Sequence, residues 1–233
     1  MPVVSVPSLP VSDAALHLGV SEQRVRAMIS AGSIEAEKVA GAWLIPVASL
    51  ARLMASQRQG GRPLSAESAW ALLLLASGEH VGWASARVQS RMAIALDDHG
   101  LIGAFGKLGC RAARHVYEAH VAELPRLASS VDLMLSGVSA TGAHKLGLQG
   151  GDELEAYVAI SAIEGVAKRH GLVTGGEPNV VLWAVPDDIW PIVHRRVAPI
   201  AVVLADLAEH ADARARRVAY DRADRLDRER ARG

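Results

Sequence analysis

Few residue groups in this chain are spaced for chemistry. His115 and His120 stand five positions apart without the H-E-x-x-H order that sets two imidazoles and a general base on one helix face, so they read as structural histidines. In "ALDDHG" (95–100) Asp97 and Asp98 adjoin His99, which a helix C-terminus running into a loop explains. Asp187 and Asp188 follow Pro186 and read as a turn. The single cysteine, Cys110, excludes an intramolecular disulfide and a multi-cysteine zinc cluster, and is expected to be a small buried apolar residue. No P-loop, G-x-G-x-x-G or G-x-S-x-G occurs. These readings predict a protein that is not an enzyme and uses no metal or cofactor.

The remaining candidate chemistry is cationic and local. In "GVSEQRVRAMISAGSI" (19–34) Arg24 and Arg26 sit on a short helix that Ser21 can cap. Just before it, Ala14 and Ala15 are small enough for a second helix to cross close by, and Gly19 stands where a sharp turn between helices needs positive φ. Leu16, Leu18, Val20, Val25, Met28 and Ile29 supply the apolar faces. Glu22, Gln23, Arg26, Ala27 and Ser30 are left outward, with Arg24 on the flank. The pattern is a helix-turn-helix. Gly32 ends the second helix. "IEAEKVA" and "WLIP" then read as two short strands around Ala40-Gly41, a wing, with a further helix over 46–57 opened by Pro46.

This segment resembles the excisionase/MerR-like DNA-binding domain over about residues 8–57. The resemblance is carried by Ala14-Ala15, Leu18 to Ser21, Gly32 to Ile34, and Trp43 to Pro46. It departs at the wing tip, where the family usually has Arg or Lys and this chain has "VAGAWL" with only Lys38 nearby. A domain of this kind implies double-stranded DNA as partner. Gln23 and Arg26 would read base edges, and Ser21, Arg24 and Lys38 would hold phosphates, with Ala27 and Ser30 on the same face.

Charge sets the terms of that contact. The 233 residues carry 25 Lys+Arg against 25 Asp+Glu, so the whole chain has no pull towards polyanions. Residues 1–62 hold six basic residues (Arg24, Arg26, Lys38, Arg52, Arg58, Arg62) and four acidic ones (Asp13, Glu22, Glu35, Glu37), a net +2. One such module would bind weakly and with strong salt dependence, so a homodimer on paired half-sites is expected.

The rest of the chain must position this module. "SQRQGGRPLS" (56–65) is a linker ending at a helix cap, giving a winged helix-turn-helix over 1–59, a linker over 60–65 and a larger body over 66–233. In the body, helices are expected over 66–77, 84–97 and 117–128, and loop over 136–153. "EAYVAI" (155–160) and "NVVLWAV" (179–185) read as strands flanking a helix that ends at Gly171. The fold class is mainly α with an α+β C-terminal body. Ile200, Val203, Leu204 and Leu207 form a helical stripe. From 212 onward the alternation of Asp and Arg predicts a solvated helix with Asp212→Arg216, Asp221→Arg225 and Asp224→Arg228 pairs. The longest apolar run, "AWALLLLA", is too short to span a bilayer, and no secretory signal is read, so a cytoplasmic protein is expected.

The body, from "RPLSAESAWALL" through "EAYV" to "VVLWAVPDDIWP", resembles bacterial antitoxins and antitoxin-like regulators. That resemblance implies a transcriptional autorepressor whose body binds a cognate toxin encoded beside it. Trp190 is a candidate aromatic anchor for that partner, with Arg195 and Arg196 beside it. An excisionase-type architectural factor and a one-component ligand-sensing regulator are the alternatives.

Overall fold

A computed structural model describes residues 8–18, 21–30, 34–39, 41–47, 49, 63–148 and 151–232, with backbone alone for 16–18, 24 and 30. The chain divides into two compact units, 1–60 and 61–233. Among the described residues nine helices and two sheets are present, a mixed α/β content.

In the first unit, strand β1 (Ser8–Pro10) leads directly into α1 (Val11–Leu18), followed by α2 (Glu22–Ser30), β2 (Glu37–Val39) and β3 (Ala42–Pro46). Both outer strands run antiparallel to β3, Ser8 opposite Pro46 and Val39 opposite Ala42. Gly41 turns the β2–β3 hairpin at φ 86°, a conformation that costs glycine nothing. A small core of Val11, Ala14, Ala15, Val25, Ile34 and Ile45 ties helices to sheet. The expected helix over 46–57 lies almost wholly outside the described residues, and Pro46 itself ends β3.

The second unit is built on a four-stranded mixed sheet in the order β4-β7-β6-β5, comprising β4 (Ala113–Tyr117), β5 (Met134–Leu135), β6 (Leu154–Ala159) and β7 (Val180–Val185). The central pair is parallel, so the chain must cross over between them, which it does through α6 (Ile163–Arg169). Side chains alternate along both strands. Leu154, Ala156, Val158, Val180, Leu182 and Ala184 face α6 and the short α5 (Leu124–Ala128). Tyr157, Val181, Trp183 and Val185 face the main helical layer.

That layer holds α3 (Ala66–Ala76), α4 (Ala86–Ala104), α8 (Ile200–Glu209) and α9 (Ala213–Arg230); the single-turn α7 (Trp190–Val193) precedes α8. The hydroxyls of Ser65 and Ser85 cap α3 and α4 by accepting from Ser68 and Val88 N–H at 3.3 Å. Helix α4 is broken at Gly100, where φ is 64°. The Asp227 carboxylate of α9 accepts the Leu101 N–H there at 2.9 Å from both oxygens. It acts as an N-cap supplied from 126 residues away.

Three expectations are corrected. Residues 117–128 are not one helix: Tyr117 ends an edge strand and only 124–128 are α-helical, because Pro125 suits a first turn and Glu118 instead bridges Val173. Helix α9 is not merely solvated: Ala215, Ala219 and Ala223, spaced i, i+4, i+8, are fully buried against the layer. Of the expected pairs, Asp224–Arg228 forms at 2.5 Å, whereas Asp212 caps α9 through the Arg214 and Ala215 N–H groups, and Asp221 meets Arg217 at 3.8 Å instead of Arg225. No described helix is long and apolar enough to cross a membrane.

Candidate functional site

Helix α2 presents one buried and one open face. Val25 is buried in the unit's core, Met28 and Ile29 are half-buried, and Ser21, Gln23, Arg26 and Ala27 are exposed. The Ser21 carbonyl accepts the Val25 N–H at 3.1 Å, starting the helix. Arg26 is held by Glu22 one turn earlier at 2.8 Å, acid before base, the favourable order on a helix. Both partners are about half exposed, so the pair is worth about 1 kcal/mol or less and opens readily for another acceptor. The side chains of Arg24 and Ser30 lie outside the described part. Lys38 is exposed on β2, its ammonium 5.8 Å from the centre of the Trp43 ring opposite it on β3.

The residues expected at a partner surface are mostly engaged within the body. Trp190 is half-buried against the helical layer, its ring centre 4.6 Å from that of His194 at a tilt of 32°. Arg195 donates from Nη1 to both Glu79 carboxylate oxygens at 2.6 and 2.7 Å, and from Nε to the Val193 carbonyl. Arg196 is exposed and reaches the Ser130 carbonyl at 3.4 Å. Beside Arg196 and His194 is a shallow hollow of about 440 Å³ that also includes Val131, itself 83% exposed.

The strongest electrostatic feature of the body was not read from the sequence. Between sheet and α8, Arg111 is fully buried and donates to Asp206 at 2.8 Å, to Glu209 at 2.8 Å and to the Tyr157 hydroxyl at 2.8 Å. Tyr157 donates in turn to Asp206 at 2.7 Å, and Ser136 donates to the other Asp206 oxygen. On the next layer Trp183 donates its indole N–H to Glu155 at 2.8 Å, and the Arg111 guanidinium lies 4.5 Å from the Trp183 ring centre. Burial raises the Asp206 carboxyl above its ordinary value, while Arg111, Ser136 and Tyr157 pull it back. Glu155 has weaker support: burial and the Asp206 charge push it up to about 7. Gly137, at φ 48°, leaves the room Glu155 needs, since a Cβ there would sit 1.6 Å from its carboxylate.

The cluster pins α8 to β6 and to the start of β4, and a cleft of about 340 Å³ lined by Arg114, Glu153, Glu155, Trp183 and His210 opens beside it. One signal for it was available: Asp206 interrupts an otherwise apolar stripe, where a carboxylate needs a buried partner.

The groups first considered for chemistry are not brought together. His120 caps a 3-10 turn by accepting the Ala122 N–H, while His115 is half-buried on β4. Asp187 accepts from the Ser161 N–H and hydroxyl, and Asp97 pairs with Arg230 at 2.7 Å. Cys110 is exposed, against expectation, because it lies in the turn that precedes Arg111 rather than in the helical layer. Among the described residues no cluster of histidine, cysteine or carboxylates is arranged to hold a metal.

No curated protein and no solved structure matches the chain. Residues 9–58, which contain α1, α2 and the β2–β3 hairpin, match the family model of a helix-turn-helix domain, and this match supports a DNA-binding role in transcription regulation.

Proposed function

We propose that this chain is a sequence-specific DNA-binding autorepressor, and that its body binds the toxin of a toxin–antitoxin pair in the cytoplasm. The observation that carries the DNA half is the helix-turn-helix match together with the open face of α2. In this reading α2 enters the major groove, Gln23 and Arg26 read base edges, and Ser21, Arg24 and Lys38 hold phosphates. Ala27 and Ser30 complete the face, and the β2–β3 hairpin acts as a wing. A net +2 over residues 1–62 gives one copy little affinity, which supports action as a homodimer. The body is assigned no catalysis and no cofactor. Its toxin contact is placed at Arg196 and the hollow beside it, with Trp190 and Arg195 shaping the surface from beneath.

The test is a mobility shift of the full-length protein on its own upstream region, with scrambled DNA as control, across a salt series. A discrete complex on the cognate fragment alone is expected, and Arg26→Ala should lose about 1–3 kcal/mol of discrimination. Equal binding to both fragments, or binding to neither, overturns the repressor reading. For the body, co-expression with the neighbouring gene product should yield a complex weakened by Arg196→Glu; no complex removes the toxin half.

A further inference from the structure

The outer side of α9 carries a feature that neither DNA reading nor toxin binding uses. Lys145, Arg222 and Arg225 line a concavity of about 210 Å³ whose walls include Leu146 and Val218. Among the described residues, neither the Lys145 ammonium nor the Arg225 guanidinium has a carboxylate partner, while Arg222 is held only by Glu229 at 3.3 Å. Asp221 also lines the hollow, but its Oδ2 faces Arg217 at 3.8 Å. The acid-before-base pair that Asp221 and Arg225 could make along the helix is thereby given up.

The backbone at Lys145 adds a second, independent observation. Lys145 is the one non-glycine residue with positive φ (53°) among those described. It closes a turn in which the Lys145 N–H donates to Gly142 and the Leu146 N–H donates to Thr141. Glycine or asparagine would hold that conformation at lower cost. A lysine in a left-handed conformation that glycine would hold at lower cost, lining a hollow with two arginines, points to a use for its ammonium.

We infer that this hollow binds the phosphate group of a small phosphorylated molecule. Two arginines and a lysine lining one concavity match a compact dianion, and the apolar Leu146 and Val218 can lie against what the phosphate is attached to. A long nucleic-acid backbone fits less well, because the helix around the hollow is nearly neutral, with seven acidic residues against eight arginines over 206–233.

The experiment titrates full-length protein with inorganic phosphate and with pyrophosphate, against sodium chloride at matched ionic strength, following melting temperature and heat of binding. A saturable rise in melting temperature with phosphate but not chloride is expected. Arg225→Gln should weaken binding about tenfold. Lys145→Gly should weaken it similarly while raising the melting temperature of the ligand-free protein, because the strain is relieved. This opposite movement of stability and binding is a result a merely structural lysine would not give, and the variant is expected to fold. Responses identical in wild type and both variants, or matched by chloride, overturn the site. A loss confined to DNA affinity, with the phosphate response intact, assigns these cations to a nucleic-acid backbone and also overturns it.

Discussion

Glu155 is the group through which pH should act on the body. Burial lifts its carboxyl from the ordinary 4.5 to about 7, with Asp206 adding to the rise and Trp183, the Val138 N–H and Arg111 opposing it. The folded state therefore holds this proton more tightly than the unfolded chain. The stability it confers is complete below pH 4.5 and is lost as pH rises through about 7. A displacement of ~2.5 pH units corresponds to ~3 kcal/mol at most. Glu155→Gln abolishes the ionisation and keeps the shape, but the amide has one acceptor oxygen where the carboxylate has two, at a cost of about 1 kcal/mol. The variant should thus be ~2 kcal/mol more stable than wild type at about pH 9 and ~1 kcal/mol less stable at about pH 3.5, the two profiles crossing between. Urea denaturation across that range, followed by near-ultraviolet dichroism of the buried tryptophans, measures the difference. A constant offset between the two proteins at every pH would show that folding leaves the Glu155 carboxyl at its ordinary value, and would refute the account of the cluster.

Further perturbations test other links. Arg111→Met strands Asp206 in a dry interior and should cost about 3–5 kcal/mol, read by urea denaturation, with part of the loss recovered on acidification as Asp206 takes up a proton. Gly100→Ala combines a positive φ with a Cβ placed 2.4 Å from the Asp227 carboxylate, so it should destabilise by about 2 kcal/mol or more, whereas alanine at Gly109, where nothing lies within 4 Å, should be tolerated. Glu22→Gln frees Arg26 and removes a negative charge from the α2 face, so it should tighten DNA binding a few-fold in the mobility shift at low salt; unchanged affinity would place Arg26 away from the DNA.

Sequence and structure agree where a local signal is strong. Helix α3 is marked by Ser65 and an unbroken apolar run, and β6 and β7 by β-branched and aromatic residues bounded by Gly and Asn. Strand β4 was hidden because "ARHVY" is only five residues long, sets Arg and His side by side without a period-two alternation, and lies on an open edge. The burial of α9 was hidden because its contact stripe is alanine, which carries little hydropathy against seven arginines; the i, i+4, i+8 spacing of Ala215, Ala219 and Ala223 was the available sign. The Arg111 cluster joins residues as much as 98 positions apart, and no local pattern reports such a pairing. Only the misplaced charge of Asp206 hinted at it. At the α2 face the outward residues Gln23, Arg26 and Ala27 were legible because a two-helix core leaves them nowhere else to point, while the hold of Glu22 on Arg26 needed the rotamers.

The cap that Asp227 places on Leu101 bears on the order in which the chain takes shape. That bond, the Arg230–Asp97 pair and the alanine stripe all join the segment beyond residue 212 to elements made much earlier. The body therefore cannot close during synthesis until residues through Arg230 have cleared the ribosome, and its apolar helical layer stays open until then. The first sixty residues form a separate compact unit with a core of its own, built without the segment beyond residue 212. A nascent or truncated chain would carry a finished helix-turn-helix module attached to an unfinished body, with the unclosed layer exposed to proteolysis.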